Sequence, residues 1–209
     1  MGLQKQALSS GMIGVISFIL SDILGCILVQ GYNPIKSYIS VLSADQTPHS
    51  SIMRILIIIY QVFFLIFSIT LCIKFFKGHY FYARVGSILL FGIACLSLIT
   101  FGVFPMTAES AINPQNIIHL ILAIAIIALP PIALFLLSLG YRQHELNFLR
   151  NLSLTAAIFI VLFNLLHLVG IKNEWNILGL IQRLSVYTFH AFTFFSSRIY
   201  VRTESRAWR

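Results

Sequence analysis

Charge is what this sequence has least of. Asp, Glu, Lys and Arg together make up 10% of its residues and only six are acidic, whereas about a quarter of an ordinary soluble domain is charged. With 58% hydrophobic residues and a mean hydropathy of +0.91, there is too little polar surface to coat a water-soluble core. The chain must use lipid as its solvent. Cysteine is almost as scarce. Cys26, Cys72 and Cys95 lie inside apolar runs with no CxxC pair, which excludes a disulfide framework or a thiolate metal site and leaves them as small packing residues. A GxSxG elbow around Ser40 or Ser43, a Walker loop and a dinucleotide fingerprint are all missing, so no catalytic motif and no cofactor emerge. The net charge of +8 does not indicate nucleic acid, because the basic residues form no surface interleaved with aromatics. No linker or low-complexity tract divides the chain, which reads as a single domain over residues 1–209.

What is present is a series of apolar runs, each about 20 residues long, the length that a bilayer core demands. They cover residues 11–30, 52–73, 85–104, 117–140, 152–170 and 178–200. Alternation at period two is absent, which argues against a membrane β-barrel. The expected fold is therefore all-α, a polytopic membrane bundle of six transmembrane helices with short loops and antiparallel neighbours. Ten Lys and Arg residues fall at the N-terminus, in the second and fourth loops and in the C-terminal tail, against Lys36, Arg54 and Lys172 on the other side. The positive-inside rule then makes both termini cytoplasmic and places the protein in the cell membrane. Ile23, Leu24, Gly25 and Cys26 resemble a lipoprotein cleavage box, but Asp22 and the apolar residues continuing to Val29 speak against cleavage there. Ser17, Ser21 and Gly25 instead mark a close helix contact.

Polar side chains inside apolar runs need a reason. By the helical rise, Asp22 lies about 12 Å, Asn164 about 9 Å and His167 about 5 Å from the outer ends of their helices, and Gln182 and Arg183 about 6–8 Å. His119 starts its helix near the same surface, while Gln61 and His190 sit near the midplane. Arg183 is the expected cation of an outward-facing polar pocket, with Asp22 or Glu174 as counter-ion. Gln182, His119, His167, Asn164 and Asn33 complete the expected ligand-binding set. The chemistry suits a lipid headgroup or another anionic amphiphile, and membrane lipids are the expected partners. A plainer role is equally open, in which Arg183 snorkels to headgroups while the His and Asn residues tie helices together. Asp22, His119, His167 and His190 are of metal-ligating type, but no two share a helical i, i+3 or i, i+4 spacing, so no metal is assigned. Other functional readings are a small proton-linked transporter using Asp22, a histidine and a hinge at Pro130-Pro131, or an interaction subunit without its own ligand.

The stretch from Tyr32 to Ala44 raises a separate question, being polar and turn-forming directly after an apolar run. Asn33-Pro34 is a turn signal, and Ile35, Ile39 and Leu42 share one face of a short interfacial helix. That helix would form a lid over the pocket or a plain re-entry loop. Tyr32-Asn33-Pro34 with Ile39-Ser40 and Leu42, Gly102-Val103-Phe104-Pro105 with His119, and Gly179-Leu180-Ile181-Gln182-Arg183 together resemble the family called domain of unknown function 998. The resemblance implies a prokaryotic six-helix membrane protein, in bacteria of the inner membrane, whose outer motifs matter, and it implies no reaction. Where that family often has carboxylates after the Phe-Pro pair and the Asn-Pro turn, this chain has Thr107 and Lys36-Ser37.

Overall fold

The computed structural model describes residues 2–45, 47–77, 81–107, 113–143 and 146–203, and among them it is entirely helical. Six long helices, α1 (Leu3–Leu28), α3 (Ser50–Phe76), α4 (Phe81–Gly102), α5 (Pro114–Gln143), α6 (Asn147–Lys172) and α7 (Leu178–Thr203), carry the bundle, with a four-residue helix, α2 (Ile39–Leu42), between the first two. Most run a few residues past the apolar stretches that announce them. Apolarity tracks the lipid, whereas a helix ends where its backbone hydrogen bonds do. Lys5, Lys74, Arg84, Arg142, Arg150 and Arg202 are thus helical. At the other end, α1 stops before the apolar run does: Val29 leaves helical geometry at φ −93°, ψ 101°, and Gly31 at φ +77° then turns the chain. For α5, Pro114 occupies the first helical position and the Asn113 side chain accepts from Asn116 N–H at 2.8 Å, a capped helix start. Both Pro130 and Pro131 lie within α5, which is assigned as one helix across them.

Each long helix packs against its sequence neighbour, and α7 returns to α1, so the six close into a ring. The faces are sorted opposite to those of a soluble protein. In α1 the buried face holds Ser10, Gly14, Ser17, Ser21 and Asp22, while Ile13, Ile16, Leu20, Ile23 and Ile27 are exposed. Exposed aliphatics continue around α3, α5 and α6, a belt that only hydrocarbon covers without penalty. Small residues inside let backbones approach. Gly14 lies against the Tyr60 backbone, and Ser17 and Ser21 donate to Leu56 O at 2.8 Å and Met53 O at 3.2 Å in α3, the close contact expected from their spacing.

Of the six spans expected, five (α1, α3, α4, α5 and α6) are long and apolar enough to cross a membrane. The sixth, α7, matches them in length, but Arg183, Ser185, His190, Thr193, Ser196 and Ser197 dilute its apolarity, and all six are buried. Its polar groups therefore face the ring interior. Around the axis near the chain termini, Leu8, Phe67, Leu71, Leu137, Phe192 and Tyr200 fill the space. The opposite half is less completely filled, and the polar residues gather there.

Candidate functional site

Arg183 has five N–H groups and each finds an acceptor. Nε and Nη2 grip Asp22 through Oδ2 at 3.0 Å and Oδ1 at 2.8 Å. Nη2 also reaches the Tyr32 hydroxyl at 2.5 Å, and Nη1 donates to Pro34 O at 2.6 Å and Ser37 O at 2.9 Å, with Gly179 O at 3.3 Å. The second carboxylate oxygen of Asp22 accepts from Tyr187 O–H at 2.5 Å. Arg183 and Asp22 are 6% and 4% exposed, so the pair survives in a low-dielectric setting only because both partners are hydrogen-bonded throughout. Burial pushes the Tyr32 phenol up to about 12, against the opposing pull of the Arg183 guanidinium.

This knot explains the polar loop after α1. The Asn33 side chain accepts from Ile35 N–H at 2.9 Å, closing the turn. The loop then lays its carbonyls on the start of α7: Gly179 N–H donates to Lys36 O at 3.2 Å and Leu180 N–H to Ile35 O at 2.9 Å. Those amides are among the orphan donors of a helix N-terminus, and the loop satisfies them. Gln182 Oε1 accepts from Ile39 N–H at 2.9 Å, fixing the first residue of α2. Both Ile39 and Leu42 are buried, so α2 lies across the end of the ring as their spacing indicated, whereas Ile35, expected on the same helical face, precedes α2 in a turn and is exposed. Asp45 N–H donates to Met106 O at 3.0 Å, which ties this loop to the one after α4. There Thr107 N–H donates to Asn116 Oδ1 at 2.9 Å and the Thr107 hydroxyl accepts from Asn113 Nδ2 at 2.8 Å.

Beneath α2 is a cavity of about 140 Å³ to which all six long helices contribute. Ser40, His119, Gln182 and Ser185 lie at its end nearest the loop, and Phe18, Ile57, Phe101, Ile127 and Ile160 make apolar walls. Gln61, Ser97 and His190 line it deeper. By helical rise Gln182 is about 6 Å and His119 about 8 Å from the starts of their helices, while Gln61 and His190 are about 17–18 Å in. No Asp, Glu, Lys or Arg is among its lining residues.

The residues expected to form one ligand set thus divide. Gln182 and His119 line the cavity, with His119 Nδ1 bonded to Phe104 O at 2.8 Å. Arg183 and Asp22 form the adjoining knot, with their hydrogen-bonding groups engaged by the protein itself. Asn164 bridges three helices, donating to Ile127 O at 3.1 Å and accepting from Ser185 at 2.8 Å. His167 packs against the Tyr38 ring at 5.5 Å, outside the cavity lining. Asn33 is an exposed turn residue, and Glu174 is exposed at φ +54° and in no ion pair among the described residues. Of the two counter-ions considered for Arg183, the structure selects Asp22. Sequence reasoning did not assign Tyr32 and Tyr187 to the knot, although an aromatic hydroxyl beside a buried ion pair is a signal of this kind. It noticed the depth of Gln61 and His190 without seeing that they share a cavity.

No curated protein and no solved structure matches the chain. A family model described as protein of unknown function, DUF998, matches residues 12–198, a span that contains the knot, the loop and the cavity, and the chain belongs to that family.

Proposed function

We propose that this chain is a six-span protein of the cell membrane, folded as one domain with both termini cytoplasmic, that holds a membrane amphiphile in the cavity beneath α2. In this reading α7 is the sixth span, shielded from lipid on its polar face by α1 and α6, and the outer leaflet supplies the ligand. The amphiphile's head lies at the Gln182 and His119 end and its chain runs down between Phe18, Ile127 and Ile160. The observation that carries the reading is the lining: polar at the mouth, walled mainly by apolar side chains below it with Gln61, Ser97 and His190 at depth, and covered above by a loop anchored through Arg183. Arg183 then serves as the post that fixes the lid rather than as a bare anion receptor, so an anionic head is accommodated at the mouth without being required.

Native mass spectrometry of the protein released from lipid nanodiscs tests this. The wild type should retain an amphiphile, and Ala123→Phe, which places a ring in the cavity wall, should lose it while keeping its helical content. A wild type that retains no amphiphile, or an Ala123→Phe variant that retains the same one, contradicts the reading.

A further inference from the structure

Two buried polar atoms deep in the ring have no hydrogen-bond partner: Gln61 Oε1 and His190 Nε2. Both side chains line the cavity, and they are 0% and 4% exposed. Their partnered atoms fix what the orphans are. Gln61 Nε2 donates to Ser97 O at 3.0 Å, and a carbonyl only accepts, so the amide nitrogen faces α4 and the orphan is the carbonyl oxygen. His190 Nδ1 lies 2.7 Å from Val186 O, so the proton sits on Nδ1. A second proton on Nε2 would create a buried cation, yet His190 is in neither ion pair of the described residues and its ring stacks on Phe18 at 4.1 Å. Its Nε2 is therefore a lone pair. Two acceptors, and no donor among these atoms, are left unsatisfied at mid-depth, where an unmet buried polar group is costly.

We propose that the amphiphile bound here carries a neutral hydrogen-bond donor, an alcohol hydroxyl, which lies at mid-depth against Gln61 and His190. The inference rests on the cavity reading above and adds the ligand's class. A carboxylate or phosphate at this depth would set lone pairs against lone pairs with no cation in the lining. An alkane or ether would leave both acceptors bare. A hydroxyl donates to one of the two acceptors, which neither of those alternatives can do.

The test compares decane-1,9-diol (the mid-chain alcohol), 9-methoxydecan-1-ol (its ether) and decan-1-ol, which share a head for the mouth and differ only at mid-depth, at equal mole fraction in nanodiscs, with adducts counted by native mass spectrometry. The wild type should hold the alcohol at least about tenfold more than the ether, the worth of one hydrogen bond to a buried acceptor. The double variant Gln61→Leu/His190→Phe, which removes both acceptors, should bring that ratio to about one while still holding the ether, and at least one of the two single variants should shrink it. Equal retention of alcohol and ether by the wild type overturns the donor inference and leaves the cavity reading standing. Retention of none of the three overturns both. The wild-type comparison stands without either variant, so a variant that fails to fold does not blunt it.

Discussion

Replacing Arg183 with glutamine should both destabilise the bundle and release the loop above it. The substitution strands Asp22, 4% exposed, with Tyr187 as its remaining donor, and leaves the carbonyls of Pro34, Ser37 and Gly179 without the guanidinium. Stranding one member of a buried ion pair costs about 3–5 kcal/mol, and each carbonyl that water does not reach adds about 1 kcal/mol. Asp22→Asn should cost a similar amount by stranding the guanidinium. The double variant removes both charges, so its cost should fall short of the sum of the singles by at least about 2 kcal/mol. Equilibrium unfolding in mixed detergent micelles supplies the cycle, and hydrogen exchange supplies the local readout, with faster exchange expected at the amides of Ser37, Ile39 and Leu180. Arg183→Lys keeps the charge but has three donors on one nitrogen in place of a five-donor fork. It should preserve much of the stability while still losing loop protection. Singles that cost under about 1 kcal/mol, or that add without coupling, would refute the claim that this pair anchors the lid.

Other consequences are more local. Gly179→Ala would drive a methyl against the Ser37 and Pro34 carbonyls, the latter at 2.8 Å; these are backbone atoms, so the loop must lift, and limited proteolysis should cut it faster than in the wild type. The Tyr32 phenol, held up to about 12 by burial against an ordinary 10.0, keeps its proton in the fold after the unfolded chain has lost it. Stability is therefore full below pH 10 and falls as pH rises from about 10 to 12, with a slope approaching one proton, and Tyr32→Phe should flatten that fall in pH-dependent unfolding curves. Cysteines placed at exposed Lys36 and Lys77 test orientation: an impermeant thiol reagent added to intact cells should label the first and spare the second, and the reverse pattern would invert the bundle.

Five of the six expected spans were legible because a lipid-facing helix must be apolar over a length that the bilayer sets. Arg183 was legible as a cation in need of a partner, since a lone charge is costly at that depth, but the sequence left Asp22 and Glu174 both open as its counter-ion. The turn at Asn33 and the buried face of α2 followed from local chemistry as well. What sequence spacing does not carry is which way a polar residue points. His167 and Glu174 lie at the expected level, yet one packs on Tyr38 outside the cavity lining and the other is exposed. Arg183 was legible as a buried cation but not as one whose five donors are all engaged within the protein, because three of its acceptors are backbone carbonyls that no side-chain pattern reveals. The cavity itself depends on six helices closing into a ring, a long-range arrangement with no local signature. The low apolarity of α7 becomes intelligible only in that ring, where its serines, His190 and Arg183 turn inward.

In the proposed function the space beneath α2 is a ligand site and not a packing gap. A density map of the protein in native-lipid nanodiscs, at a resolution that separates side chains, tests it most directly. Elongated density running from Gln182 and His119 toward Gln61 and His190, with a polar feature within hydrogen-bonding reach of those last two, is the result expected. Side chains collapsed into the space, or a shaft empty of elongated density in a map that resolves the Arg183 and Asp22 pair, would contradict it.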